Sequence, residues 1–398
     1  MATIYRFFHD PGQTFFLFGP RGTGKSTWLR QQFPKAYYVD LLAPDAFRSF
    51  SAKPERLKDI CATLSAGDMI IIDEIQKLPE LLDVVHQLIE QRKDLRFILT
   101  GSSARKLKRA GVDLLAGRAL VRSMHPFMAA ELGSSFSLPD ALTTGLVPLV
   151  LDSPNKKESL SAYTGLYIRE EVQLEGLVRN IGSFNRFLES ISFSHGSVLN
   201  ISDVARDCQV KRKTVEGYIS ILEDLMLAFM VPVFSKRAKR HLSAHPKIFF
   251  FDAGVFRALR PAGPLDSPSE IDGATLEGLV VQHLRAWISY RGGSDNLYFW
   301  RTKSGVEVDL VVYGPDTFCA YEVKNTDKIH SKMLKGLVNF KHDYPEAGVC
   351  FLYRGKESLM IKDIHCIPCE EFLLQLKPER SIKLCLEAGA CGRPSRTE

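Results

Sequence analysis

Residues 15–33 read FFLFGPRGTGKSTWLRQQF. The first four form an apolar run suited to a buried strand, and the last eight, from Ser26, can open a helix. Between them G-x-x-x-x-G-K-S is complete from Gly19 to Ser26. A glycine-rich turn between strand and helix points successive backbone N–H groups into one concavity, and the helix N-terminus adds a positive dipole end. Such a concavity takes the phosphate tail of a nucleoside triphosphate. Its expected lining is Gly19, Pro20, Arg21, Gly22, Thr23, Gly24, Lys25, Ser26 and Thr27. Lys25 would reach the β- and γ-phosphates, and the Ser26 hydroxyl would ligate Mg²⁺.

A second motif follows at residues 69–74, MIIIDE. A buried parallel strand delivers Asp73 and Glu74 to its C-terminal end, where open α/β sheets bind ligands. There Asp73 would hold the Mg²⁺ shell, and Glu74 would orient or deprotonate an attacking water. A third strand, RFILT (96–100), leads into GSS (101–103) and brings Thr100 or Ser102 toward the γ-phosphate. No guanine-specificity motif of the NKxD kind is present, which favours ATP over GTP.

The remaining strand and helix signals up to about residue 130 alternate, the pattern of an α/β layer. They run through AYYVDL (36–41), helices near 54–65 and 80–91, a helix at 103–109, and a short strand in ALVRSM that would close the sheet. Residues 133–160 read as looser chain leaving this core. With 398 residues, two or three domains are expected. Hydrophobic content of 45% and charged content of 25% are those of a soluble globular protein. No stretch approaches the roughly 20 apolar residues of a membrane span. The phosphate loop begins too early to leave room for a cleavable signal, so a cytoplasmic setting is expected.

Net charge is +6, but its distribution says more: residues 206–247 hold nine Lys or Arg against four Asp or Glu. Within that stretch, Ser202 can cap a short helix carrying Val204 and Ala205. A turn at 208–210 then leads to a second helix opening near Thr214, with Val215, Tyr218, Ile219, Leu222 and Leu225 at helical spacing. This is the plan of a helix-turn-helix. VPVF (231–234) and KIFFFD (247–252), joined by the basic SKRAKRH, would be the strands of a wing. Lys211, Arg212 and Lys213 fall at the start of the second helix, where DNA-binding versions meet the groove. The same module also serves as a protein–protein connector, so both partners stay open.

After the Pro/Gly/Ser-rich PAGPLDSPSE (261–270), an amphipathic helix is expected over 274–291, with Glu277 in its first turns. NLYFWRT (296–302) and VEVDLVVY (306–313) read as a hairpin, and FCAYEVKN (318–325) as a third strand. Alternation puts Glu307 on the face of Asp309, and Glu322 on the face of Lys324. Asp309 and Glu322, with Glu277 in support, could hold Mg²⁺, and Lys324 could activate water or stabilise charge on a phosphodiester. Ordinary surface charge on three strands is the other reading. Eight cysteines are scattered, and only Cys366 and Cys369 lie close together. A zinc site would need Cys385 and Cys391 at non-standard spacing, so reduced thiols are expected.

GPRGTGKS, IIIDEIQKLPELL (70–82), LTGSS (99–103) and LAGRALVRSMHPF (115–127) together resemble prokaryotic AAA-type ATPases of a poorly characterised group with a C-terminal domain of unknown function. The resemblance extends to about residue 378. In this likeness HPKIFFFDAGV (245–255) belongs to a winged-helix part, and Glu277, Asp309, Glu322 and Lys324 match a PD-(D/E)XK, restriction-endonuclease-like fold. It implies an α/β chain made of a P-loop AAA-type ATPase core (1–132), a helical, winged-helix module (133–260), a nuclease-like domain (270–378) and a tail (379–398). It further implies that Thr100 stands at a sensor position, and that an arginine, Arg118 first and Arg122 second, completes the site of a neighbouring subunit in a homo-oligomer. The expectation is an ATP- and Mg²⁺-dependent switch coupled to DNA. The alternative is a signalling or scaffold protein whose C-terminal fold binds a protein partner.

Overall fold

The computed structural model describes residues 4–102, 115–168, 172, 180–235 and 245–382. The expected helix at 103–109, the basic residues 236–241, Cys385, Cys391 and the chain beyond 382 lie outside the described residues. Two compact units emerge: Phe8–His125 with Ser220–Leu227, and Met1–Phe7 with Pro126–Ile219 and Ala228–Glu398. The segments expected as the middle module and the C-terminal domain both fall in the second of these units, apart from Ser220–Leu227.

The smaller unit is built on five parallel strands: β1 (Phe15–Phe18), β2 (Tyr37–Asp40), β3 (Met69–Asp73), β4 (Arg96–Gly101) and β5 (Leu120–Ser123). Their order is β2-β3-β4-β1-β5. A parallel sheet covered on both faces reads as continuous apolar runs, which is why FFLF and III are unbroken. Phe15, Phe16, Ile70, Ile71 and Ile72 are fully buried, each contributing about 1.5–3 kcal/mol by leaving water. Helices α1 (Lys25–Gln32), α2 (Pro44–Ala52), α3 (Arg56–Ala62) and α4 (Leu81–Gln91) connect the strands. The helix expected near 54–65 is α3, and α2 is an additional one, with Pro44 in its first turn, where its missing N–H costs nothing. Because β4 lies between β1 and β3, the ends of the phosphate-loop strand, the RFILT strand and the IIID strand stand side by side.

The larger unit begins with residues expected in the ATPase core. Arg6 pairs with Glu131 at 3.3 Å, both buried, and Glu131 also accepts the Phe7 amide at 2.6 Å. The stretch 133–160, read as loose, is largely helical: α5 (Ala129–Leu132), α6 (Leu138–Thr144), α7 (Pro148–Leu151) and α8 (Lys156–Ala162). Its prolines open helices rather than break them, and Ser137 and Asn155 accept from the amides of Asp140 and Glu158 as N-caps.

Helix α9 (Ile181–Ser192) packs Phe184 and Phe187 against Tyr218 of a helix pair, α10 (Ile201–Asp207) and α11 (Arg212–Asp224). The cap of α10 is Asn200, not Ser202: its side chain accepts from the amides of Ser202 and Asp203. The turn passes through Gln209 at φ 55. Strands β6 (Ala228–Val231) and β7 (Lys247–Phe250) then pair antiparallel. Asp252 caps α12 (Ala253–Leu259) and also accepts the Leu146 amide; a side chain at Gly145 would collide with its carboxylate at 1.9 Å.

The expected C-terminal helix is longer, α13 (Pro268–Tyr290), so Glu277 stands well inside it and not in its first turns. It packs with a six-stranded mixed sheet, in order β12-β13-β11-β10-β9-β8. The strands are β8 (Asn296–Arg301), β9 (Glu307–Tyr313), β10 (Phe318–Val323), β11 (Gly348–Tyr353), β12 (Leu359–Ile361) and β13 (Ile364–Pro368). Helix α14 (Lys335–Asp343) lies between β10 and β11 in the chain, and α15 (Cys369–Gln375) follows β13. Leu279 and Trp287 of α13 share a core with Leu310, Tyr321 and Phe372, while Phe340 of α14 packs with Val308, Val311 and Phe351.

Candidate nucleotide site and carboxylate cluster

The phosphate loop leaves β1 at Gly19, where a side-chain carbon would lie 2.4 Å from the Met124 carbonyl oxygen. Only glycine fits. Gly22 and Gly24 take φ of 79° and 90°, the left-handed region that glycine enters without steric cost. The loop closes on itself through Thr23, whose amide and hydroxyl both donate to the Pro20 carbonyl, at 3.3 and 2.7 Å. Lys25 is buried, and its ammonium donates to the carbonyls of Gly19 at 2.7 Å and Pro20 at 3.3 Å. Ser26 is half-buried and Thr27 exposed in the first turn of α1.

Beside the loop lies a network that the sequence does not announce. One oxygen of buried Asp73 accepts from the Thr100 hydroxyl, and the other accepts from the Tyr38 hydroxyl at 2.5 Å. Tyr38 is also hydrogen-bonded to Ser26, so one phenol joins the two residues expected at Mg²⁺. Burial, with the Asp73 charge second, pushes the Tyr38 phenol up from its ordinary value and keeps it a donor. The Arg30 guanidinium lies 4.1 Å from the Tyr38 ring.

Thr100, fully buried, also accepts the Glu74 amide at 3.1 Å. Its hydroxyl is thus committed to the carboxylate pair. Glu74 adopts φ 61, a sharp turn out of β3, and its carboxylate accepts from the Gln76 amide group. Gln76 also donates to Ser102 at 3.2 Å. Gly101 leaves the room this needs: a side-chain carbon there would meet Gln76 at 2.5 Å. Ser26 and Asp73 are the hard oxygen donors that Mg²⁺ takes. Arg118 is exposed and pairs with Glu90 of its own chain, while Arg122 donates to the Val121 carbonyl at 3.1 Å.

The larger unit gathers Glu277, Asp309, Glu322 and Lys324 into one cluster, together with Glu307, expected on the face of Asp309, and Lys247, which was not expected there. Lys247, at the start of β7, is 1% exposed and bonds Glu277 at 3.0 Å and Glu307 at 2.6 Å, with Asp309 at 3.9 Å. Lys324 bonds Asp309 at 3.2 Å and Glu322 at 2.7 Å. Asp309 therefore joins two lysine-centred halves, and its second oxygen also accepts the Val323 amide at 2.8 Å. It sits where β9 carries one residue more than β8: Tyr298 faces Val311, but Trp300 faces Val308. Such a bulge bends the strand and re-aims its side chains.

Four carboxylates here face two ammonium groups and, at Glu307, the Arg301 guanidinium at 3.4 Å. Burial, followed in size by the Asp309 charge, pushes the Glu322 carboxyl up to about 8. Burial, partly offset by Lys247, raises Glu277 to about 7. One Glu322 oxygen is buried with no hydrogen-bond partner, the sign of a missing cation or proton. Against that, among the described residues no three of His, Cys, Asp or Glu are grouped to hold a metal ion.

Lys211, Arg212 and Lys213 are all exposed at the start of α11, where Arg212 pairs with Glu216 at 3.0 Å. Cys366 and Cys369 are buried free thiols, raised by burial to about 11 and about 12. No helix among the described residues is long and apolar enough to cross a membrane.

Tyr38 had no positional signal, since it stands near the start of its strand and only its long side chain reaches Asp73. Gln76 is the glutamine of DEIQ. Lys247 had none, for a lysine opening a strand reads as surface.

Comparison with known proteins matches three successive segments of the chain. Residues 12–133 match an AAA domain, residues 135–266 a domain of unknown function (DUF8612), and residues 272–372 a second one (DUF4143). The chain is 26% identical over 374 residues to the uncharacterized proteins Rv2008c of Mycobacterium tuberculosis and Mb2031c of Mycobacterium bovis, covering 90% of this chain and 80% of each relative. Among solved structures, the RuvB Holliday junction branch migration motor of Thermotoga maritima is 14% identical, with a TM-score of 0.28 over 56% of this chain and 85% of that one. Protein VC1899 of Vibrio cholerae is 10% identical, with a TM-score of 0.24 over 94% and 98%.

Proposed function

We propose that this chain, with its AAA domain at residues 12–133, is an ATP- and Mg²⁺-dependent ATPase acting as a nucleotide-driven switch coupled to DNA binding or processing. The observation that carries the reading is the adjacency, at one sheet edge, of the GPRGTGKS turn and the Asp73–Thr100–Glu74 network. The loop amides and Lys25 bind the phosphates, the lysine exchanging its two loop carbonyls for phosphate oxygens. Ser26 and Asp73 would hold Mg²⁺, which when bound neutralises charge on the β- and γ-phosphates. Glu74, oriented by Gln76, takes the proton of the water whose oxygen bonds the γ-phosphorus as the bond to the β–γ bridging oxygen breaks. Arg118, released from Glu90, would complete the site of a neighbouring subunit.

DNA is the partner suggested by the exposed Lys211, Arg212 and Lys213 on a helix pair followed by a two-stranded sheet, the order of a winged helix. In the nuclease-like reading, Asp309 and Glu322 would hold Mg²⁺, with Glu277 in support, and Lys324 would stabilise phosphodiester charge. The orphaned Glu322 oxygen favours that reading. The second reading, an inactive fold that binds a protein partner, is favoured by Lys247, whose buried ammonium already occupies the middle of the carboxylates.

The test is ATP hydrolysis with Mg²⁺, with and without double-stranded DNA, against Lys25→Ala. Stimulation by DNA that is lost in the variant supports the coupled switch, and hydrolysis indifferent to DNA turns the reading to a protein partner. Mg²⁺-dependent cleavage abolished by Asp309→Asn or Lys324→Ala, with ATP turnover intact, would establish the nuclease; no cleavage by the wild type would sink it.

A further inference from the structure

We infer that a cleft beside the carboxylate cluster seats the sugar-phosphate backbone of a single nucleic-acid strand, an inference that rests on the DNA reading above. The cleft has a volume of about 750 Å³ and is walled by residues 198–202 and Arg212 on the helix-pair side and by residues 301–303 at the β8–β9 turn. Arg212, Arg301 and Lys303 reach it from elements some ninety residues apart, and no carboxylate is among its lining residues. A cleft that holds only cations among its ionisable walls, with His245 beside them, selects an anion.

The rest of its lining is neutral, the aliphatic Val198, Leu199 and Ile201 alternating with Asn200 and Ser202, and Thr302 beside the cations. A volume in the range of roughly 300–1,000 Å³ suits a ligand of one or two nucleotides. Charged grooves that track one strand through its phosphates bind without sequence preference.

Both arginines have donors to spare. Arg212 pairs with Glu216 at 3.0 Å and Arg301 with Glu307 at 3.4 Å, and a guanidinium carries five N–H donors. Glu307 then ties the cleft to the cluster: one of its oxygens meets Arg301 and the other meets Lys247 at 2.6 Å. A phosphodiester held by Arg301 and Lys303 lies next to the residues that would act on it, with Lys247 as the buried counter-charge between them.

The test uses the full chain and a fluorescent single-stranded oligothymidylate, with binding followed by anisotropy from 50 to 200 mM salt. The double variant Arg301→Ala/Lys303→Ala is expected to weaken binding at least tenfold and to flatten the dependence of log affinity on log salt by about 1.4, for two lost phosphate contacts. Lys303→Glu, at an exposed turn position, should weaken it comparably while leaving the melting temperature unchanged, which separates lost contact from lost fold. Lys356→Ala/Lys362→Ala, at exposed positions outside the cleft, should retain the affinity, whereas Lys211→Ala/Lys213→Ala removes the basic run at the start of α11. Loss in that variant with the cleft variants unaffected would overturn the cleft and leave the DNA reading standing. Tighter binding of duplex than of single strand would likewise overturn the cleft. No binding by the wild type at 50 mM salt would overturn both.

Discussion

The Tyr38 hydroxyl donates to the second carboxylate oxygen of Asp73 at 2.5 Å while Thr100 occupies the first. Both oxygens of the carboxylate expected at Mg²⁺ are thus engaged by neutral donors, and Ser26 meets the same phenol. Nucleotide binding with Mg²⁺ must exchange the Tyr38 bond for metal. Tyr38→Phe should therefore lower stability without nucleotide by about 1–3 kcal/mol, the cost of an unsatisfied buried oxygen. It should also enlarge the stabilisation conferred by MgADP. Thermal melts with and without MgADP measure both, and an unchanged or smaller ligand-induced shift would remove Tyr38 from the site.

Gln76 holds the Glu74 carboxylate and reaches Ser102 at 3.2 Å. If Glu74 handles the proton of the attacking water, Glu74→Gln should cut turnover by about 10²–10⁴ with nucleotide affinity retained. Gln76→Ala, which frees the carboxylate without removing it, should fall between that variant and the wild type. Steady-state hydrolysis beside equilibrium nucleotide binding reads this ordering. Wild-type turnover in Glu74→Gln would assign the chemistry elsewhere.

Lys247 is the cation around which Glu277 and Glu307 are packed. Removing one partner of a buried pair leaves uncompensated charge, so Lys247→Met should cost about 3–5 kcal/mol of stability. Adding Glu277→Gln and Glu307→Gln to Lys247→Met should restore part of it. Urea unfolding reports both, and a cost for Lys247→Met below about 1 kcal/mol would mean the cluster does not depend on this lysine.

His283 is buried between Leu279, whose carbonyl its Nδ1 meets at 2.7 Å, and the Ala129 amide, which donates to Nε2 at 2.9 Å. Burial lowers its pKa to about 4, so the folded unit holds it neutral while the unfolded chain protonates near 6.5. A depressed folded value means that this stability is complete above pH 6.5 and is lost as pH falls toward 4. Each such histidine contributes a slope of up to about 1.4 kcal/mol per pH unit in that window. Denaturant unfolding of the wild type between pH 6.5 and 4.5 should be steeper than that of His283→Gln by about this amount. Parallel profiles would show that His283 is not held neutral by the fold.

The smaller unit was largely legible because its signals are local. The strand runs, the glycines of the loop and the polar strand ends are each determined within a few residues, and β1 to β5 form where those runs lie. Residues 133–160 read as loose chain because proline marks a helix start as readily as a loop, and only its neighbours' packing decides which. The alternation rule likewise could not foresee the extra residue at Asp309, since a bulge is defined against a partner strand.

By itself, then, the sequence determined the phosphate loop, the carboxylates at the end of β3 and the identity of the residues around Glu322. Each follows from short-range geometry: the period of a strand, the φ that only glycine takes freely, the spacing of a motif. What only the tertiary structure decided is which distant groups meet them. Tyr38 reaches Asp73 across a neighbouring strand, and Lys247 crosses from β7 to face carboxylates thirty and sixty residues further along the chain. Burial supplies the reason. A charge removed from water must find its counter-charge inside the protein, and the fold, not the sequence separation, sets which one is near.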